Sequence, residues 1–113
     1  MVMKIWHNSR CSKSREALRL LEEKGVNIEV FNYLTENLNE EKIKIILLKL
    51  GISAMDLMRK KEDKFKELNL QNVTDETVLI KAMVEFPKLI ERPIIITDNK
   101  AIIGRPPELV LEL

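Results

Sequence analysis

Residues 2 to 33 place a helix between two apolar strands, and that order restricts the chain to a small set of folds. Val2, Ile5 and Trp6 form a short apolar run that stops at the polar His7-Asn8-Ser9, the pattern of a buried strand. Ala17, Leu18 and Leu21 then fall on one helical face, with Ser12 or Ser14 available as a cap and Gly25 where a left-handed C-terminal cap favours glycine. Cys11 is therefore expected at or just before the N-cap. From Val26 to Tyr33, Val26, Ile28 and Val30 alternate with Asn27, Glu29 and Phe31, a period of two with enough β-branched content for a second strand. Strand, helix of about twelve residues, strand is the smallest unit that supports a parallel pair with a right-handed crossover.

The middle of the chain reads as helical. Asn39 opens a helix in which Ile43, Ile46, Leu47 and Leu50 share a face, and Gly51 closes it. Ser53 with Asp56 resembles a capping box, opening a short helix through Leu57 and Met58 to Arg59. Lys60 to Asn72 reads as irregular or partly helical, anchored by Phe65, Leu68 and Leu70. Thr74 or Asp75 caps a further helix with a stripe of Val78, Leu79, Ala82, Met83 and Phe86, stopped by Pro87. Ile94 to Thr97 and Lys100 to Ile103 flank the pair Asp98-Asn99, which predicts an antiparallel hairpin. Pro106-Pro107 predicts a final helix over Glu108 to Leu113. The order is βαβ, a helical middle insertion, then ββα. One four-stranded mixed sheet with flanking helices accounts for every apolar segment, which points to the α/β class and permits a thioredoxin-like arrangement.

At 113 residues the chain fits a single domain spanning 1–113. The net charge of +1 excludes a global attraction to nucleic acid or membrane, so anion recognition must come from local clustering. A lone cysteine excludes an internal disulfide framework, implies no metal, and suits a reducing, cytoplasmic compartment. Neither a signal segment nor a membrane span is legible, and a monomer is expected.

That cysteine lies in His7-Asn8-Ser9-Arg10-Cys11-Ser12-Lys13-Ser14-Arg15. A free cysteine is often only a small buried hydrophobe. Here Arg10, Lys13 and Arg15 at a helix N-terminus are the conditions that lower a thiol pKa below about 8.5 and make the thiolate available. Cations at that end of a helix are locally unfavourable, so a negative species is expected there: a thiolate, a bound oxyanion, or both. Where a dithiol motif would carry its second cysteine the chain has Ser14, so redox chemistry needs a sulfur from outside.

Three distant arginines are candidates for the anion. Arg92 and Arg105 bracket the hairpin, and antiparallel pairing brings their backbone positions to one end of the sheet. Guanidiniums there could grip a tetrahedral oxyanion through bidentate bonds. Arg59 stands at a helix end. His7, at a strand end, suits a supporting role. Pro93 reads as trans from the residues alone, because only about 5% of X-Pro bonds in folded proteins are cis.

These segments, with Leu57-Met58-Arg59-Lys60, Glu91-Arg92-Pro93-Ile94-Ile95 and Ile103-Gly104-Arg105-Pro106-Pro107-Glu108, together resemble the arsenate reductase (ArsC) family of thioredoxin-fold proteins coupled to glutathione and glutaredoxin, in a shorter branch. The resemblance covers nearly the whole chain. It implies that Cys11 attacks arsenate, that Arg59, Arg92 and Arg105 hold the oxyanion and its reduced product, and that His7, Asn8, Ser14 and Arg15 support the thiolate. It further implies a cis peptide bond at Pro93. Glutathione, a co-substrate rather than a bound cofactor, would release arsenite, and glutaredoxin would regenerate Cys11.

Two other functions compete. The same fold resembles the Spx-type regulators that bind RNA polymerase, although Ser14 stands where their redox switch needs a cysteine and the charge carries no DNA-binding signal. A thiol phosphatase is disfavoured because Cys11 and Arg15 enclose only three residues, too few for a phosphate-cradling loop.

Overall fold

In the computed structural model, which describes residues 2–104 together with Glu108 and Leu111, the elements follow the expected order. They are β1 (Val2–Trp6), α1 (Ser12–Glu23), β2 (Asn27–Phe31), α2 (Glu40–Leu50), α3 (Ala54–Leu57), α4 (Asp63–Glu67), α5 (Glu76–Glu85), β3 (Ile94–Ile96) and β4 (Ala101–Ile103), with short 3-10 turns at Leu70–Asn72 and Pro87–Leu89. The expected final helix falls largely outside the described residues. The chain divides into two compact units, Met1–Asn37 with Arg92–Leu113, and Leu38–Glu91.

The first unit holds the sheet, in the order β2-β1-β3-β4. β1 and β2 run parallel with Ile5 opposite Val30, while β3 lies antiparallel to both β1 and β4, with Ile95 opposite Ile5 and Ile102. The hairpin closes through the Thr97 N–H to the Lys100 carbonyl at 2.8 Å, as its two-residue turn predicts. Ala17 and Leu21 of α1 pack on Met3, Ile5 and Ile95, with Leu18, Val26, Ile28 and Ile102 at the margin. A four-stranded mixed sheet carrying a βαβ crossover and an antiparallel hairpin is the thioredoxin-like α/β arrangement. Val30, grouped with Val26 and Ile28 by periodicity, is 44% exposed because β2 is an edge strand.

The second unit is helical. The Asn39 side chain caps α2 by accepting the Lys42 N–H at 2.8 Å, and Gly51 takes the left-handed conformation past its end (φ +69°). Asp75 rather than Thr74 caps α5, accepting the Thr77 N–H at 2.9 Å. Ser53 caps α3, which stops at Leu57 instead of running to Arg59. It stops because the chain turns extended at Met58 and bridges to Ile90, with the Arg59 N–H on the Leu89 carbonyl at 2.7 Å and the Glu91 N–H on the Leu57 carbonyl at 2.8 Å.

Two expected anchors are corrected. Leu68 is 41% exposed: it ends α4, and the left-handed Asn69 (φ +54°) turns the chain so that Leu70 is buried instead. In α5 Ile80 is buried and Val78 is 44% exposed. Both flank the shared stripe of Leu79, Ala82 and Met83 at about equal angles, so only the packing partner selects between them.

Candidate active site

Cys11 is the N-cap of α1, and its extended backbone (φ −93°, ψ 121°) aims the first-turn amides at its own side chain. Neither Ser12 nor Ser14 caps the helix. Instead the Ser14 hydroxyl, fully buried, hydrogen-bonds His7 Nδ1 at 2.6 Å and accepts the Asn8 N–H at 3.0 Å. Asn8 Oδ1 accepts the Arg10 N–H at 2.9 Å, the Asn8 carbonyl accepts the Cys11 N–H at 3.0 Å, and the Arg15 guanidinium donates to the Ser9 carbonyl at 2.9 Å. His7 itself is anchored by its N–H on the Phe31 carbonyl at 2.9 Å. The loop from strand to helix is thereby tied at most of its residues.

Burial pushes the Cys11 thiol up, but it is outweighed. The Ser14 amide, the Arg92 guanidinium, which both hydrogen-bonds and attracts the sulfur, and the Lys13 amide bring the thiol below its ordinary value. The charge that acts on the sulfur is therefore that of Arg92, which the sequence assigns to the anion. The side chains of Arg10, Lys13 and Arg15, expected to lower the thiol, are exposed. Burial, and next the Arg15 charge, hold His7 below its ordinary imidazole value, with Glu22 opposing. A neutral imidazole beside Ser14 is the result.

Arg92 lies two residues before the start of β3, and the Gly104 N–H on the Pro93 carbonyl at 2.9 Å holds the open end of the hairpin together there. The Arg92–Pro93 peptide bond is cis, which corrects the trans reading of the residues alone. Arg105 lies outside the described residues. Arg59 belongs to the second unit, where its guanidinium donates to Glu62 and its Nε lies 3.6 Å from Glu91. These two carboxylates escaped the sequence reading. Glu62, three residues on, carried a spacing signal, whereas Glu91 comes close only through the Met58–Ile90 bridge.

Among the described residues no group of three or more histidine, cysteine or acidic side chains could hold a metal, and no helix is long and apolar enough to cross a membrane.

The chain is 54% identical over 113 residues to the uncharacterized protein YfgD of Escherichia coli, covering 98% of this chain and 95% of that one. It is 48% identical over 108 residues to an arsenate reductase of Neisseria meningitidis, covering 94% and 92%. The solved structure of an arsenate reductase from Vibrio cholerae superposes with a TM-score of 0.95 at 46% identity, covering 99% of this chain and 97% of that one. With the ArsC family model matching residues 6–113 as well, the chain belongs to the ArsC family.

Proposed function

We propose that this protein is an arsenate reductase that works through one cysteine and borrows its second thiol. The observation that carries the reading is the lowered Cys11 thiol, held by the Ser14 and Lys13 amides and by Arg92. A thiolate is the nucleophile that arsenic(V) requires, and the same guanidinium suits a tetrahedral oxyanion. The names of the Neisseria and Vibrio relatives support arsenate as that oxyanion.

In this reading the Cys11 thiolate attacks arsenate, an As–O bond breaks with its oxygen leaving as water, and a Cys11–S–As bond forms. Glutathione adds its sulfur to the arsenic, its thiol proton passing to an arsenic-bound oxygen. The two sulfurs then couple into a Cys11–glutathione disulfide, their two electrons pass to arsenic, and arsenite leaves. Cys11 is the only cysteine, so no internal disulfide can form. Glutaredoxin regenerates the thiolate by exchange with the mixed disulfide. Arg92, with Arg59 and Arg105, holds the oxyanion and its product. His7, Asn8, Ser14 and Arg15 keep the loop and the thiolate in place. The protein acts as a monomer in a reducing cytoplasm.

The test is a coupled assay. Purified protein with arsenate, glutathione, glutaredoxin, glutathione reductase and NADPH should oxidise NADPH in an arsenate-dependent manner, and Cys11→Ser should abolish it. Equal rates for the two proteins would overturn the reading.

A further inference from the structure

Arg59, a ligand in the proposed oxyanion grip, already has anionic partners of its own. Its Nη1 donates to Glu62 Oε1 at 2.5 Å, and its Nε faces Glu91 Oε1 at 3.6 Å. The three side chains are only 24%, 30% and 27% exposed, so solvent and salt screen them less than a surface pair. The backbone keeps them together. The Arg59 N–H bonds the Leu89 carbonyl and the Glu91 N–H bonds the Leu57 carbonyl across the Met58–Ile90 bridge, while the Glu62 N–H closes a turn on the Arg59 carbonyl at 3.2 Å. Glu62 stands at the N-cap of α4, yet its side chain makes no bond to the amides of that helix and turns to Arg59 instead.

A guanidinium grips a tetrahedral anion through two donors on one edge, either Nη1 with Nη2 or Nε with Nη2. In Arg59 each of these edges has one donor against a carboxylate, and one guanidinium between two carboxylates leaves the group negative. An oxyanion seated on Arg59 therefore lies beside carboxylate oxygens, which when ionised only accept hydrogen bonds. A bare oxygen placed there meets lone pairs and like charge. A hydroxyl placed there donates to the carboxylate and makes a charge-assisted bond.

We infer that Glu62 makes the site selective for oxyanions that carry a hydroxyl, its carboxylate accepting a hydrogen bond from the anion that Arg59 holds. Near neutral pH arsenate and phosphate each keep a hydroxyl, and arsenous acid, the reduced product, is wholly hydroxylated. Sulfate has none. The inference rests on the proposed role of Arg59 as an oxyanion ligand and goes beyond it in assigning the discrimination to Glu62.

Phosphate and sulfate are the probes, because thiols reduce neither. For each, the concentration that half-protects Cys11 from iodoacetamide is read by mass spectrometry at neutral pH and constant ionic strength. Phosphate should protect at about tenfold lower concentration than sulfate, the scale of one hydrogen bond to a charged group. Glu62→Gln keeps the side-chain shape and adds an amide donor, so it should bring the two concentrations together, chiefly by improving sulfate. No preference in the unaltered protein would overturn the inference. So would a preference that survives Glu62→Gln, including through equal tightening of both anions, the mark of a carboxylate that merely blocks Arg59. Arg59→Met should weaken both anions. If it does so while the Glu62→Gln preference stays in place, the inference alone falls; if it moves neither anion, or if neither protects the unaltered protein, the role of Arg59 falls with it. The expected preference and its loss, in a protein without arsenate-dependent NADPH oxidation, would support the inference and sink only arsenate as the anion that is reduced.

Discussion

The Cys11 sulfur meets two backbone amides and one guanidinium, and substitution can separate them. Arg92→Met removes the charge-assisted bond and should raise the midpoint pH of iodoacetamide alkylation by about one unit, the scale of one such interaction. Ser14→Ala leaves its amide in place and should move that midpoint little. Its effect should appear in urea unfolding instead, as a loss of about 1–3 kcal/mol, because the buried His7 ring and the Asn8 N–H lose their shared partner. Two groups also link stability to pH in the same sense. The folded pKa of Cys11 lies below its unfolded value, so its contribution is full above about pH 8.5 and is lost as pH falls through the folded pKa. Cys11→Ser should flatten that slope. His7, also lowered, contributes fully above about pH 6.5 and loses its contribution as pH falls through its folded pKa, so His7→Gln should flatten the acid limb of the stability curve. The residue types at this site were legible because they crowd into one stretch. Which cation faces the sulfur was not, since Arg10 and Lys13 are near in sequence whereas Arg92 is near in space.

At the scale of single elements, the signals that held are those confined to a few neighbouring residues. Asn39 and Asp75 each accept a first-turn N–H, and replacing either by alanine should cost about 1 kcal/mol, read as a lower urea midpoint. Gly51→Ala should cost a similar amount, because a side chain there is strained at φ +69° even though the surrounding space is open. The expectations that failed needed a partner to decide them. Val78 and Ile80 are equivalent by helical angle until a neighbour covers one. Leu68 looked like an anchor until Asn69 turned the chain. The end of α3 was misplaced because an isolated bridge to Ile90, well outside its own segment, draws Met58 into extended backbone.

For the molecule as a whole, the decisive event is the return of the chain at Arg92 to complete the sheet begun at Val2. β3 inserts beside β1, and Ile95, fully buried, packs with Ile5, Ala17 and Leu21. Ile95→Ala should therefore destabilise the folded protein by about 2–5 kcal/mol. It should also shift Cys11 alkylation toward higher pH, because Arg92 reaches the sulfur from the foot of β3. A variant that lost the stability and kept the low alkylation midpoint would separate the sheet from the thiol. Sequence alone determined the order of elements, the caps of α2 and α5, the two-residue hairpin turn and the position of the one cysteine at a helix N-terminus, because each is encoded by contacts among residues a few places apart. Only the tertiary structure decided the strand order, the partner of Ser14 inside the loop, and the choice of Arg92 over the adjacent cations as the group on the Cys11 thiol. Those depend on which distant surfaces are buried together, and a burial preference spread over the whole chain has no local signature.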